Sequence, residues 1–136
     1  MGFLDKTITK AKASAKATSS KYNENKDANK ILSQIKTEKE KVRGCYETIG
    51  KEYYRYTYDG DESHKDCFDG LVNDINTSRR IIEDLEAQLA ELRAKGQEER
   101  DSIKADTDAK IEEIESAEAE ARVQKDQARK DKDDVF

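Results

Sequence analysis

The sequence predicts an all-α fold, a long antiparallel helical hairpin (coiled coil) with an N-terminal amphipathic helix and a long charged C-terminal helix. The 136 residues contain no proline, which would interrupt long helices. Charged residues make up 42% and hydrophobic residues 34%, whereas ordinary globular domains are about 45–50% apolar. Apolar residues recur at alternating steps of three and four, the spacing of a coiled-coil seam. Such a chain buries one narrow stripe on each helix.

The first predicted element is a basic amphipathic helix over residues 1–22. A polar segment, residues 23–27, then weakens the pattern. Its apolar face is Leu4, Ile8, Ala11, Ala15, Thr18 and Tyr22. Large apolar residues among lysines fit an anchor that lies on an anionic membrane surface, although the same helix would also serve to extend the hairpin. The candidate membrane contacts are Phe3, Leu4, Ile8, Lys6, Lys10 and Lys12.

The second element is the hairpin, predicted over residues 28–96 with its turn at 58–64, where Asp59-Gly60 provides a turn signal. In the first arm the predicted seam is Ala28, Leu32, Ile35, Lys39, Val42, Tyr46, Ile49, Tyr53 and Tyr56. In the second arm it is Phe68, Leu71, Ile75, Ser78, Ile82, Leu85, Leu89, Leu92 and Gly96. In an antiparallel pairing the residue numbers of each facing pair add to a constant. For these two sets the sum is 124 in every pair. This register places the middle of the turn at residue 62.

Several apolar residues lie outside these predicted layers and would be left uncovered by a two-helix hairpin. They are Ile31, Cys45, Tyr54, Val72 and Ile81. Burying each such side chain is worth roughly 1.5–3 kcal/mol, so these residues are the predicted self-association stripe. A homo-oligomer is therefore expected.

The third element is a charged helical extension over residues 97–136, in which large apolar residues become sparse. Residues 1–30 hold seven lysines and three acids, a net charge of +4, while residues 97–136 hold eight basic and 14 acidic residues, a net charge of −6. Isoleucines Ile81, Ile103 and Ile114 share with Leu92 a spacing of 11, which predicts a nearly straight seam there. Tyr58, in the aromatic region before the turn, and the chain end, Val135 and Phe136, are candidate contacts for a protein partner.

Other function classes are disfavoured by the sequence. The chain lacks an apolar run of about 20 residues and an export signal, so we expect a cytoplasmic protein, with peripheral association with a membrane as the alternative. Its acidity disfavours nucleic acid as a partner. The sole histidine, His64, stands near Cys67, but a closed zinc site needs four ligands. We therefore expect no metal, no cofactor and no catalytic residues.

Part of the chain resembles a known family. The opening residues 1–6, the segment Leu32-Ser33-Gln34-Ile35 and the segment Ile49-Gly50-Lys51-x-Tyr53-Tyr54 are similar to the N-terminal coiled-coil region of small uncharacterised bacterial proteins that often end in a zinc ribbon. The resemblance covers about residues 1–95 and implies a coiled coil but no reaction. A Cys-x-x-Cys ribbon is missing, so no metal role is carried over. In layout only, the chain is also similar to phage-shock-type membrane-remodelling proteins.

The sequence thus predicts a non-enzymatic coiled-coil protein that self-assembles into a dimer, a higher oligomer or a filament. The first alternative is a peripheral membrane scaffold that uses the N-terminal helix. The second is an adaptor that binds a protein partner through the tyrosine-rich turn region or the C-terminal end.

Overall fold

A computed structural model, which describes residues 2–60 and 62–133, confirms the all-α fold. Helix α1 spans Gly2–Asp59, a 3-10 helix spans Glu62–Asp66, and helix α2 spans Cys67–Asp133. The polar segment 23–27 does not interrupt α1. It contains neither glycine nor proline, and its residues reduce helix propensity by only a few tenths of a kcal/mol each, up to about 0.7.

The connection between the helices depends on Gly60, whose φ of 66° lies in the left-handed region. Glycine adopts this conformation without the steric cost that a Cβ imposes, and it commonly follows the last residue of a helix. Helix α1 therefore ends at Asp59, and the 3-10 segment brings the chain into α2. The two helices form the predicted hairpin.

The chain divides into two compact units. One comprises Glu24–Lys95 and is called the turn unit here; the other comprises Met1–Asn23 and Gly96–Phe136 and is called the terminal unit. Each contains a segment of both helices.

In the turn unit, the inward-facing positions of α1 follow strict steps of three and four. These buried or half-buried residues are Glu24, Ala28, Ile31, Ile35, Glu38, Val42, Cys45, Ile49, Glu52 and Tyr56. The corresponding residues of α2 are Phe68, Leu71, Ile75, Ser78, Ile82, Leu85, Leu89 and Leu92. The α2 stripe is the predicted one. The seam is a heptad coiled coil.

Four of the nine residues predicted for the α1 side of the seam do not lie in it. Leu32, Lys39, Tyr46 and Tyr53 are exposed, and the residue just before each of them faces α2 instead. Facing residue numbers accordingly add to 120, as for Ile35 with Leu85, and the turn is centred at Gly60 and not at residue 62. For Lys39, Tyr46 and Tyr53 the physical reason is that a position beside the seam leaves the polar end of each side chain in water, and Leu32 moves with them because one register governs the whole stripe. A tyrosine beside the seam covers it with its ring while its hydroxyl reaches water, and a lysine there keeps its ammonium solvated.

In the terminal unit, the inward-facing positions follow steps of four, three and four, a period of 11 residues. On α1 they are Gly2, Lys6, Thr9, Ala13, Ala17 and Ser20; on α2 they are Gly96, Arg100, Ile103, Thr107, Ile111, Ile114 and Glu118. The 11-residue spacing predicted from the isoleucines thus holds for Ile103 and Ile114. Ile81, in the turn unit, is exposed.

The predicted apolar face of the first helix does not pack against α2. Leu4, Ile8, Ala11, Ala15, Thr18 and Tyr22 are all exposed, and α1 contacts α2 through the small and polar residues of its other side. Opposite these small and polar residues lie the half-buried isoleucines Ile103, Ile111 and Ile114 of α2. The helix therefore extends the hairpin with the face opposite to the predicted one.

Burial is shallow. Among the described residues the buried hydrophobic side chains are Ala28, Ile35, Ile75, Leu85 and Leu89, all in the turn unit. No described side chain is less than 2% exposed.

Candidate functional site

An exposed strip of large residues runs along one side of the turn unit, and we call it the aromatic flank. It consists of Leu32, Lys39, Tyr46 and Tyr53 of α1 and Val72, Arg79, Glu86 and Arg93 of α2. Each of these residues follows a seam residue by one position, so the heptad repeat itself places them in line. Arg79 Nη2 donates a hydrogen bond of 2.5 Å to the Tyr46 hydroxyl, which ties the two helices together across this flank.

The apolar members of the aromatic flank are substantially exposed. Leu32 is 41% exposed, Tyr46 48%, Tyr53 60% and Val72 46%. Single exposed apolar residues are ordinary on protein surfaces, whereas several in one line indicate an interaction surface. The sequence placed three of these four residues in the seam, and a shift of one position moved them outside.

The five residues predicted to form the self-association stripe do not share one face. Ile31 and Cys45 are half-buried in the seam, while Tyr54, Val72 and Ile81 are exposed. Val72 belongs to the aromatic flank, Ile81 lies on the opposite flank, and Tyr54 lies on the outer side of α1. Only part of the predicted stripe is therefore available as a surface.

The tyrosines near the turn form a pair on the outer side of α1. The rings of Tyr54 and Tyr58 stack with centroids 5.5 Å apart and an interplanar angle of 8°. Tyr58, a predicted partner contact, is 76% exposed. The other two predicted partner contacts, Val135 and Phe136, lie outside the described residues.

Three acidic residues of α1, Glu24, Glu38 and Glu52, enter the seam of the turn unit, and the sequence predicted none of them there. The Glu52 carboxylate contacts His64 Nδ1, and the Cys67 thiol donates a 3.0 Å hydrogen bond to the backbone carbonyl of His64. These contacts join the end of α1 to the 3-10 segment and the start of α2. A signal was present, because the predicted seam contained Lys39 where a coiled coil prefers an apolar residue.

Glu38 is the seam acid whose pKa is shifted by its neighbours. Its carboxylate accepts a 3.0 Å hydrogen bond from the Lys41 ammonium. Hydrogen bonding from Lys41 first, and from the Ser78 hydroxyl second, lowers the pKa of Glu38 below its ordinary value, and these effects outweigh partial burial, which acts in the opposite direction. Charged Glu38 is thus favoured in the folded hairpin.

The terminal unit presents the outward face of α1, defined by Leu4, Ile8, Ala11, Ala15, Thr18 and Tyr22. Phe3 beside it is 81% exposed, Leu4 63% and Ile8 50%. Of the predicted membrane lysines, Lys10 and Lys12 are exposed, but Lys6 faces α2 and its Nζ lies 3.5 Å from carboxylate oxygens of Glu115 and of Glu118. The outward face therefore keeps its apolar residues and two of its three predicted lysines.

The described residues offer neither a metal-binding cluster nor a membrane-spanning helix. Within residues 2–60 and 62–133, no group of three or more His, Cys, Asp or Glu side chains is arranged to hold a metal ion. Both thiols, Cys45 and Cys67, are free. None of the described helices is long and apolar enough to cross a membrane.

Comparison with protein-family models, with curated proteins and with solved structures finds no match to this chain.

Proposed function

We propose that this chain is a non-enzymatic coiled-coil protein that self-associates into a dimer or a higher oligomer or filament. The observation that carries the proposal is the shallow burial of the hairpin. The chain exposes 10825 Å². A compact monomer of its mass, 15.5 kDa, exposes about 7,200 Å².

The exposed area includes apolar side chains that water solvates poorly. In the turn unit these are Leu32, Tyr46, Tyr53, Tyr54, Tyr58, Val72 and Ile81. Covering apolar surface contributes about 25 cal/mol per Å², so contact with another copy stabilises both partners. The contact of Glu52 with His64 supports a structural role because it joins α1 to the 3-10 segment.

Multi-angle light scattering of the full-length chain over a dilution series, with reductant to keep the thiols free, tests this function. We expect a mass of at least two copies at micromolar concentration and a shift towards 15.5 kDa on dilution. A mass of one copy throughout the micromolar range contradicts self-association.

A second candidate function, peripheral association with an anionic membrane, is favoured by the outward face of the terminal unit. The seam uses the opposite side of α1, so Leu4 and Ile8 are left exposed. On the helical projection, Lys10 and Lys21 lie along one edge of this face, and Lys12 and Lys16 along the other. An apolar face bordered by lysines is typical of helices that lie in the lipid interface.

Co-sedimentation with vesicles tests the membrane candidate. We expect binding to phosphatidylcholine vesicles that contain phosphatidylserine, weaker binding to vesicles without it, and loss of binding in Leu4→Ser/Ile8→Ser. Val123→Ser is the matched control, because Val123 is 69% exposed but lies on α2. Equal binding of all three proteins, or no binding by the wild type, contradicts the outward face as a lipid-contacting surface.

A further inference from the structure

We propose that the aromatic flank of the turn unit is the surface on which a second copy of this chain docks. This inference rests on the proposed self-association and assigns it to one face of the hairpin. The aromatic flank is formed by residues that lie next to the seam, and it combines apolar side chains with charges of both signs.

The two flanks of the turn unit differ in composition. At the equivalent positions on the opposite flank, α1 carries Gln34, Lys41, Thr48 and Arg55, and α2 carries Cys67, Asp74, Ile81 and Gln88. Ile81, 38% exposed, is the large aliphatic residue among them, whereas the aromatic flank has Leu32, Tyr46, Tyr53 and Val72. Tyrosine supplies a large contact area and keeps a polar end for the rim of an interface. The composition therefore favours the aromatic flank.

The aromatic flank carries three basic residues and one acid, and a two-fold arrangement can match Lys39 with Glu86 between two copies. The hydrogen bond between Arg79 and Tyr46 shows that these residues lie at the same level of the hairpin. One heptad further from the turn, Lys39 of α1 lies at the level of Glu86 of α2. A two-fold axis parallel to the helices places α1 of one copy over α2 of the other at each level. Lys39 then meets Glu86 of the second copy, and Arg79 meets the second copy's Tyr46 ring.

The available area is also compatible with a dimer. At roughly 200 Å² for a fully exposed tyrosine, Tyr46 and Tyr53 together offer about 200 Å² per copy at their observed exposures of 48% and 60%. Two copies thus bury about 400 Å² through the tyrosines, and a stable interface needs about 1,200 Å² in total. Leu32, Val72 and the aliphatic stems of the charged residues must supply the remainder. The whole flank, and not its tyrosines alone, has to take part.

The test compares variants of the full-length chain by analytical ultracentrifugation with reductant present. Leu32→Ser/Tyr53→Ser removes two exposed members of the aromatic flank, and Ile81→Ser removes the matched aliphatic residue of the opposite flank. We expect the dissociation constant of the oligomer to rise more than tenfold in the first variant and less than threefold in the second. Circular dichroism checks that helix content is retained, and Tyr53→Ser alone is the milder variant if it is not.

The outcomes separate this inference from the function on which it rests. If the wild type is monomeric at all concentrations, the proposed self-association fails and the inference fails with it. If the wild type self-associates and the aromatic-flank variants have the same dissociation constant, the function stands and the flank serves another partner or none. An equally large rise of the dissociation constant in Ile81→Ser also overturns the inference, because the contact surface then includes the opposite flank.

Discussion

Gly60 is the residue at which the chain leaves helix α1. Its φ of 66° is one that residues with a Cβ adopt at a cost of about 1–2 kcal/mol. We expect Gly60→Ala to lower the free energy of unfolding by about 1 kcal/mol. Gly50→Ala is the control, because Gly50 lies inside α1 and no side chain or facing-helix atom of the described residues is within 4 Å of a Cβ built there. Gly50→Ala should raise the free energy of unfolding by about 0.5–1 kcal/mol.

Urea unfolding followed by circular dichroism measures both glycine variants. Effects of opposite sign are expected. A stabilising effect of Gly60→Ala would show that this position does not need the left-handed conformation.

Glu38 gives the stability of the hairpin a pH dependence. Because its folded-state pKa is lowered from the ordinary value of 4.5, the charged form stabilises the fold above that pH, and this contribution is lost as the pH falls through the lowered pKa. We expect the difference in unfolding free energy between wild type and Glu38→Gln to shift against the wild type as the pH falls from about 7 to 3. Ser78→Ala should reduce this shift without abolishing it, since Lys41 is the larger cause.

Thermal unfolding at a series of pH values measures the Glu38 effect. A difference between wild type and Glu38→Gln that does not change with pH would mean that folding leaves the Glu38 pKa where it is in the unfolded chain.

At the scale of the helix, the choice of seam is tested by two neighbouring residues. Ile31 is half-buried and faces α2, whereas Leu32 is 41% exposed on the aromatic flank. We expect Ile31→Ala to cost about 2 kcal/mol and Leu32→Ala less than about 1 kcal/mol. Measurements below the self-association range isolate the hairpin itself. A larger loss of unfolding free energy in Leu32→Ala than in Ile31→Ala would indicate that Leu32 faces Leu92 across the seam, and would contradict the register described here.

The sequence was sufficient to predict α2 and insufficient for α1. In α2 the apolar stripe from Phe68 to Leu92 has no competing stripe, and the structure uses it unchanged. In α1 the two stripes share Ala28, Ile35, Val42, Ile49 and Tyr56 and differ by one residue at the four positions between them. The apolar pattern favours the one with Leu32, Tyr46 and Tyr53. Spacing alone cannot decide between them, because the outcome depends on what each side chain meets across the seam.

The polar contacts of the candidate site were less predictable than the stripes. Nothing in the spacing shows that Glu52 meets His64 or that Arg79 meets Tyr46, because these contacts exist only in one register. A shift of four in the sum of facing residue numbers, from 124 to 120, replaces every such pair. In the terminal unit, likewise, Lys6 looks like a membrane contact in the sequence and becomes a partner of Glu115 and Glu118 in the fold.

At the scale of the whole molecule, the two units differ in what holds each of them together. The five buried hydrophobic residues found within residues 2–60 and 62–133 all belong to the turn unit. The terminal unit has alanine, threonine and serine on α1 at its seam, and its contacts include the half-exposed ion pairs of Lys6, which contribute about 0–1 kcal/mol each. Because local stability follows apolar burial, the terminal unit should open at lower free energy than the turn unit.

Hydrogen–deuterium exchange on the full chain measures this difference directly. We expect backbone amides in residues 9–20 and 103–114 to exchange more than tenfold faster than those in residues 31–52 and 71–89, a comparison that leaves out the ends of both helices. Self-association through the aromatic flank should increase the difference in exchange rate between the two units as the protein concentration rises, because binding of a second copy stabilises the turn unit. Association through the terminal unit should decrease this difference. Equal protection in all four segments at low concentration would show that the chain opens as one cooperative unit, despite its two kinds of seam.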